Sequence, residues 1–182
     1  MSTAEEYETR IHTYDWDRLI VLWQAVIARD TPDWAAGKAL EYIIMRAFQL
    51  DGADVIYPYR VLMAGEETEQ IDGLVYTDGL ACLIECKDLT SKVNIEPIAK
   101  MRNQLLRRPS PTIGAIFSRS GFTDPALILA QFNAPQTILL WDADEIEYAL
   151  RERYMRRGLI DKYRYCVSHG YPDYNITVRG IA

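Results

Sequence analysis

The chain has 182 residues, 49% of them hydrophobic and 25% charged, with a net charge of −6, three cysteines and two histidines. That length suits one domain, and the composition excludes a disordered segment. So few histidines, with no paired CxxC, argue against a zinc site and against histidine-based nuclease chemistry.

The acidic start, Met1 to Glu8, lacks the basic-then-apolar pattern of a signal peptide. Ile20 to Ala28 is too short to span a bilayer and is broken by Gln24. The expected compartment is the cytoplasm, with no membrane partner. Cys82 and Cys86 fall in one predicted strand, about 13 Å apart, whereas a disulfide needs Cα atoms within roughly 7 Å. Charge is divided unevenly: residues 1–90 hold 7 Lys/Arg against 17 Asp/Glu, and residues 91–182 hold 13 against 9. A basic side for phosphates and an acidic side for a cation are compatible with that split.

In chain order, Trp16, Leu19, Ile20, Trp23, Val26 and Ile27 recur at helical spacing and predict an amphipathic helix over 14–29. Thr31-Pro32-Asp33 offers an N-cap, a proline at N1 and an early acid. A second helix is therefore expected from there to Asp51-Gly52, burying Ala36, Ala39, Leu40, Ile43, Ile44 and Ala47. Glu41 sits at the border of that face, free either to snorkel into water or to join a site. Residues 53–63 read as extended, with Pro58 marking an edge or a bulge. Gln70–Tyr76 and Leu80–Lys87 read as a hairpin closed by Thr77-Asp78-Gly79. In its second strand Leu80, Cys82, Ile84 and Cys86 share one face, while Ala81, Leu83, Glu85 and Lys87 share the other. Both faces are apolar until the end, where one turns charged.

A helix over about 94–108 stops at Pro109. Thr112–Ser118 reads as a buried strand, Thr123-Asp124-Pro125 opens a helix, and Gln136–Trp141 is a second buried strand. A further helix starts near Asp142 or Asp144, and the segment from Arg151 to Ala182 reads as helix, then a strand at 175–179. The fold class is α/β, with a central mixed β-sheet that joins an antiparallel hairpin to strands returning through crossover helices. Trp16, Trp23 and Trp34 read as core or interface anchors.

Hydrolysis of a phosphodiester needs an activated water and neutralisation of charge growing on the phosphoryl oxygens, which a hard cation supplies when a few oxygen ligands hold it. Asp72 and Glu85, on the two strands of one hairpin, can converge on such a cation. Lys87 shares the Glu85 face and can orient water or steady the transition state, and Glu41 can add a carboxylate. An acid-x-lysine on a strand is also a common solvated pair, so this pattern alone leaves both readings open.

Asp72, followed after a hairpin by Glu85-Cys86-Lys87, resembles the PD-(D/E)xK nuclease motif, and its context resembles the Mrr-like restriction endonuclease branch. Gly37-Lys-Ala-Leu-Glu41 fits that branch's helix, Gln70-Ile71-Asp72 its Q-x-D strand, Glu85-Cys86-Lys87 its E-C-K, and Ser120-Gly-Phe-Thr123 its later turn. The resemblance covers roughly 35–150, leaving 1–34 as an N-terminal helical extension and 151–182 as a C-terminal extension of a single domain. It implies a restriction-endonuclease-like α-β-β-β-α-β core and a metal-dependent endonuclease, of DNA, serving restriction, defence or repair. Asp72 and Glu85 would bind Mg²⁺ (or Mn²⁺), completed by the backbone carbonyl of Cys86. Glu41, Asp72, Glu85 and Lys87 would be catalytic. Lys100, Gln104 and Arg119 are candidate nucleic-acid contacts, as is the basic face around Arg102, Arg107 and Arg108. Ile71 replaces the motif's proline, and the family's glutamine pair reduces to Gln104. The alternatives are a non-catalytic nuclease-like subunit that binds nucleic acid or a protein, and an α/β enzyme of a small phosphorylated ligand, for which no Gly-rich loop exists. No separate recognition domain is evident within these 182 residues, a reading compatible with a homodimer or a specificity partner.

Overall fold

A computed structural model describes residues 4–63 and 66–178. Its elements are α1 (Ala4–His12), α2 (Trp16–Ala28), α3 (Lys38–Leu50), β1 (Asp54–Ile56), β2 (Tyr59–Met63), β3 (Glu66–Ile71), β4 (Gly73–Thr77) and β5 (Leu80–Lys87). They continue with α4 (Glu96–Leu105), β6 (Thr112–Ser118), α5 (Asp124–Gln131), β7 (Ile138–Trp141), α6 (Ala143–Glu152) and α7 (Met155–His169).

The main sheet has five strands in the order β1-β4-β5-β6-β7. β1, β4 and β5 run antiparallel, whereas β5, β6 and β7 are parallel and joined through α4 and α5. The expected α-β-β-β-α-β core is present as α3, β1, β4, β5, α4 and β6, with a β2–β3 ribbon inserted. β5 lies at the centre and both of its faces are covered. Cys82, Ile84 and Cys86 pack with α2, α3, α6 and α7, while Leu83 packs with α4 and α5. Each large apolar side chain so buried stabilises the fold by about 1.5–3 kcal/mol before entropy is charged against it.

Local chemistry explains most boundaries. Asp15 caps α2 by accepting from the Arg18 N–H at 3.0 Å. Thr123 caps α5, and Asp142 caps α6 in a reciprocal capping box with Glu145.

Five expectations need correction. The second helix starts at Lys38 rather than Thr31, because Thr31–Trp34 closes a turn (Trp34 N–H to Thr31 C=O, 3.0 Å) and Gly37, at φ 79°, makes the entry. Residues 53–63 are two strands in different sheets, divided at Tyr57-Pro58. Gln70–Tyr76 is also divided, since β3 ends at Ile71, Asp72 bends, and β4 begins at Gly73. The strand expected at 175–179 is a turn over its described residues, where Asn175 Oδ1 accepts from the Thr177 N–H at 2.8 Å; Arg179 lies outside them. The N-terminal region holds two helices rather than one, and Tyr7, Ile11, Leu19 and Trp23 join the main core. Trp23 and Trp34 are buried, as expected of anchors.

Two close approaches set the helices against the sheet. A Cβ on Gly73 would collide with the buried Met45 side chain of α3, and one on Gly114 of β6 would lie 2.7 Å from Met101 Cγ of α4.

Candidate active site

β5 ends in a charged pair because strand alternation puts Glu85 and Lys87 on one side and Cys86 on the other. Glu85 is only 3% exposed, and its carboxylate accepts from Lys87 Nζ at 2.5 Å. A second ammonium, Lys100 Nζ from α4, reaches the same carboxylate at 3.0 Å and 3.3 Å. The Cys86 side chain is buried in the core on the opposite face. Burial first, then the neighbouring acids, push its thiol well above the ordinary range.

Asp72 enters from the bend between the two sheets. Its Oδ2 accepts from the Cys86 backbone N–H at 2.6 Å, which fixes the carboxylate against β5. Burial first, then the charges of Glu41 and Glu85, raise its pKa to about 7, against the lowering by the Cys86 N–H and Lys87. At Lys87, burial works against the charge. The Glu85 hydrogen bond and the charges of Glu85 and Asp72 outweigh it, and hold the ammonium above its usual pKa.

Glu41, in the first turn of α3, pairs with Lys38 at 2.5 Å. It lines a cavity of about 240 Å³ together with Asp72, Lys38, Tyr42, Met45 and Tyr57. The four residues expected to be catalytic thus meet in one region: Asp72 with Glu85 and Lys87, and Glu41 across the cavity from the helix side.

The donors present have the chemistry of a hard-cation site: the carboxylates of Asp72 and Glu85 and a strand-end carbonyl at Cys86. The raised pKa of Asp72 marks negative charge that its protein neighbours under-compensate, which is the deficit a divalent cation fills. Glu85, by contrast, is compensated by two lysines. Among the described residues no group of three or more Asp, Glu, His or Cys side chains stands in a metal-holding arrangement. A cation would therefore bind by taking Glu85 from its ammonium partners.

The expected nucleic-acid contacts are placed differently. Lys100 turns into the site, onto Glu85. Gln104 is 4% exposed on the inner side of α4, where its Oε1 has no hydrogen-bond partner among the described residues. Burial removes it as a phosphate contact. Arg119 is committed to Asp88 and to the Leu89 carbonyl, bracing the loop after β5. Arg107 and Arg108 both pair with Glu69. Lys38 was not foreseen, although its i,i+3 spacing to Glu41 is a readable signal. Tyr42 and Tyr57 were missed for want of any local sign.

A family model described as "Restriction endonuclease" (Mrr_cat) matches residues 33–150. The chain belongs to that family. Asp72, Glu85 and Lys87 all fall within the matched span, so the Mrr-like resemblance read from Glu85-Cys86-Lys87 is borne out. No curated protein matches the chain. One similar solved structure is "MspJI Restriction Endonuclease in Complex with 27-mer Oligonucleotide", at 15% identity and a TM-score of 0.36, covering 98% of this chain. The match spans 37% of the length of that structure's chain. No helix among the described residues of this Mrr_cat member is long and apolar enough to cross a membrane.

Proposed function

We propose that this restriction-endonuclease family member is a Mg²⁺-dependent endonuclease that hydrolyses phosphodiester bonds of DNA. The observation that carries the reading is Asp72: a partly buried carboxylate fixed by the Cys86 N–H, raised to about pKa 7, beside the Glu85–Lys87 pair. Asp72, Glu85 and the Cys86 carbonyl are the groups that would hold Mg²⁺, with Mn²⁺ as an alternative. When bound, the cation supplies Lewis acidity and a water of lowered pKa.

The protein groups divide the remaining work. Lys87, charged at neutral pH, orients the attacking water and opposes charge developing on the phosphoryl oxygens. Lys100 neutralises Glu85 from the α4 side and would compete with the cation for it. Glu41 places a further negative charge beside Asp72, and Lys38 fixes its rotamer.

Supercoiled, linear and single-stranded DNA, and RNA, incubated with Mg²⁺, Mn²⁺ or EDTA, test the reading. Cleavage should require a divalent ion. Lys87→Ala should lower the rate at least about 100-fold while keeping the rise in melting temperature on adding Mg²⁺. A Lys87→Ala protein that cuts at the wild-type rate overturns the assignment. A wild type that neither cuts nor responds to Mg²⁺ leaves the non-catalytic nuclease-like subunit.

A further inference from the structure

The cavity beside the acids is not built by the family core alone. The match begins at residue 33, yet Ala4 and Tyr7 of α1 form part of the cavity lining. Tyr7 is firmly seated. Its hydroxyl accepts from the Ala35 N–H at 2.9 Å, and its ring stacks on Trp34 with centroids 5.1 Å apart. Tyr7 also meets Tyr42 at 5.8 Å, and Tyr42 meets Tyr57 edge-on at 5.5 Å. A continuous set of rings therefore runs from α1 to the β1–β2 link.

The size and lining of this cavity suit a ligand. The volume, about 240 Å³, lies below the roughly 300–1,000 Å³ of pockets for drug-sized ligands. It suits one planar heterocycle. Lys38, Glu41 and Asp72 stand on the same lining, so aromatic walls and the acid cluster belong to one continuous space.

The geometry points to a nucleobase subsite: the cavity closed by α1 receives the unstacked base of the nucleotide that adjoins the phosphate at Asp72. This rests on Asp72 marking the cleavage centre. A base drawn from its stack loses stacking energy, and aromatic walls return it without regard to sequence. The N-terminal extension accordingly acts in substrate binding by completing this wall.

The test uses an exposed residue outside the acid cluster. Ala35 is on the cavity rim and exposed, and only its backbone N–H is engaged with Tyr7. Ala35→Trp should therefore fold normally and fill the space. Saturation-transfer NMR in EDTA, with deoxyadenosine 5′-monophosphate as probe and deoxyribose 5-phosphate as control, should show transfer to the adenine H2 and H8 protons and little to the control. Ala35→Trp should weaken that binding about tenfold, the factor that one stacked base contributes. Tyr57→Phe, which keeps the ring that lines the cavity, should leave the binding unchanged. In cleavage assays, an abasic nucleotide beside the cut bond should lower kcat/KM about tenfold for the wild type, with no further loss in Ala35→Trp. Normal cleavage without base transfer, or equal cutting of abasic and intact strands, overturns the subsite. Base transfer that Ala35→Trp weakens as expected, in a protein that cuts nothing, supports the subsite and refutes the nuclease reading.

Discussion

Two buried glutamates in this molecule are each held by lysine, and they differ in what surrounds the lysine. Glu145 of α6 and Lys162 of α7 are 2% and 0% exposed, with Oε1 and Nζ 2.5 Å apart. Nζ also donates to the Tyr174 carbonyl, Glu145 accepts from the Ile176 and Asp142 N–H groups, and the ammonium lies 5.3 Å from the Trp141 ring centroid. Burial pushes Glu145 up and Lys162 down, and each partially restores the other. Glu85 is equally buried, but the side chains of its lysines are 26% and 51% exposed. The first pair is closed on every side and ties α6, α7 and the following segment together. The second keeps its cationic side open to solvent, so its partners can be exchanged.

The largest effect expected from this contrast is at the closed pair. Lys162→Ala leaves Glu145 charged in the core and should cost about 3–5 kcal/mol, read as a drop in the urea midpoint. Replacing both partners, Glu145→Gln with Lys162→Met, should recover most of that loss. A small effect from Lys162→Ala alone would break the comparison.

Next in size is Asp72. Its folded pKa of about 7 lies above the roughly 3.9 of an unfolded aspartate, so the folded state binds the extra proton. The stability this group contributes is present below pH 4 and is lost as pH rises to 7 and beyond. In EDTA at pH 8, Asp72→Asn should therefore be more stable than the wild type, by up to about 4 kcal/mol. The difference should shrink as pH falls from 7 to 4. The variant's melting temperature should no longer respond to Mg²⁺, whereas the wild type's should rise through ligand linkage. Equal stability of the two proteins at pH 8 would remove the electrostatic argument for a cation.

The smallest effect concerns the open pair. Lys100 is half exposed, so its contact with Glu85 contributes less than about 1 kcal/mol. Lys100→Ala should leave the melting temperature almost unchanged. The Mg²⁺ midpoint, followed by the same thermal shift, should fall a few-fold because one competitor for Glu85 is gone. A weaker Mg²⁺ response would show that Lys100 positions Glu85 for the cation instead of competing with it.

Much of this arrangement is legible in the sequence. Alternation along Leu80–Lys87 separates Glu85 and Lys87 from Cys86, and the caps at Thr123 and Asp142 announce the helices that flank β7. Position 72 was misjudged because Gln70–Tyr76 alternates like one strand, and nothing local reveals that its halves pair in different sheets. Thr31-Pro32-Asp33 has the chemistry of a helix start, yet the chain spends it on a turn that seats Trp34 against Tyr7 and Tyr42. Gln104 could have been placed correctly. It lies three residues after the buried Met101 and beside Leu105, so the helical wheel turns it inward. The approach of Lys100 to Glu85 depends on how α4 sits on β6, which spacing alone does not encode.

How α3 and α4 sit returns to the two glycines. Glu41 lies one turn before Met45, and Lys100 is adjacent to Met101. Each helix that brings a charge to the site is therefore lowered onto the sheet where a methionine meets a residue without a side chain. The separation between the helix-borne charges and the strand-borne acids is gauged by two absent methyl groups. Positions 45 and 73, and likewise 101 and 114, are thus coupled: a larger residue at either glycine is tolerable only with a smaller one at its methionine. Among relatives that keep the acids, each pair should vary together, with summed volume nearly constant.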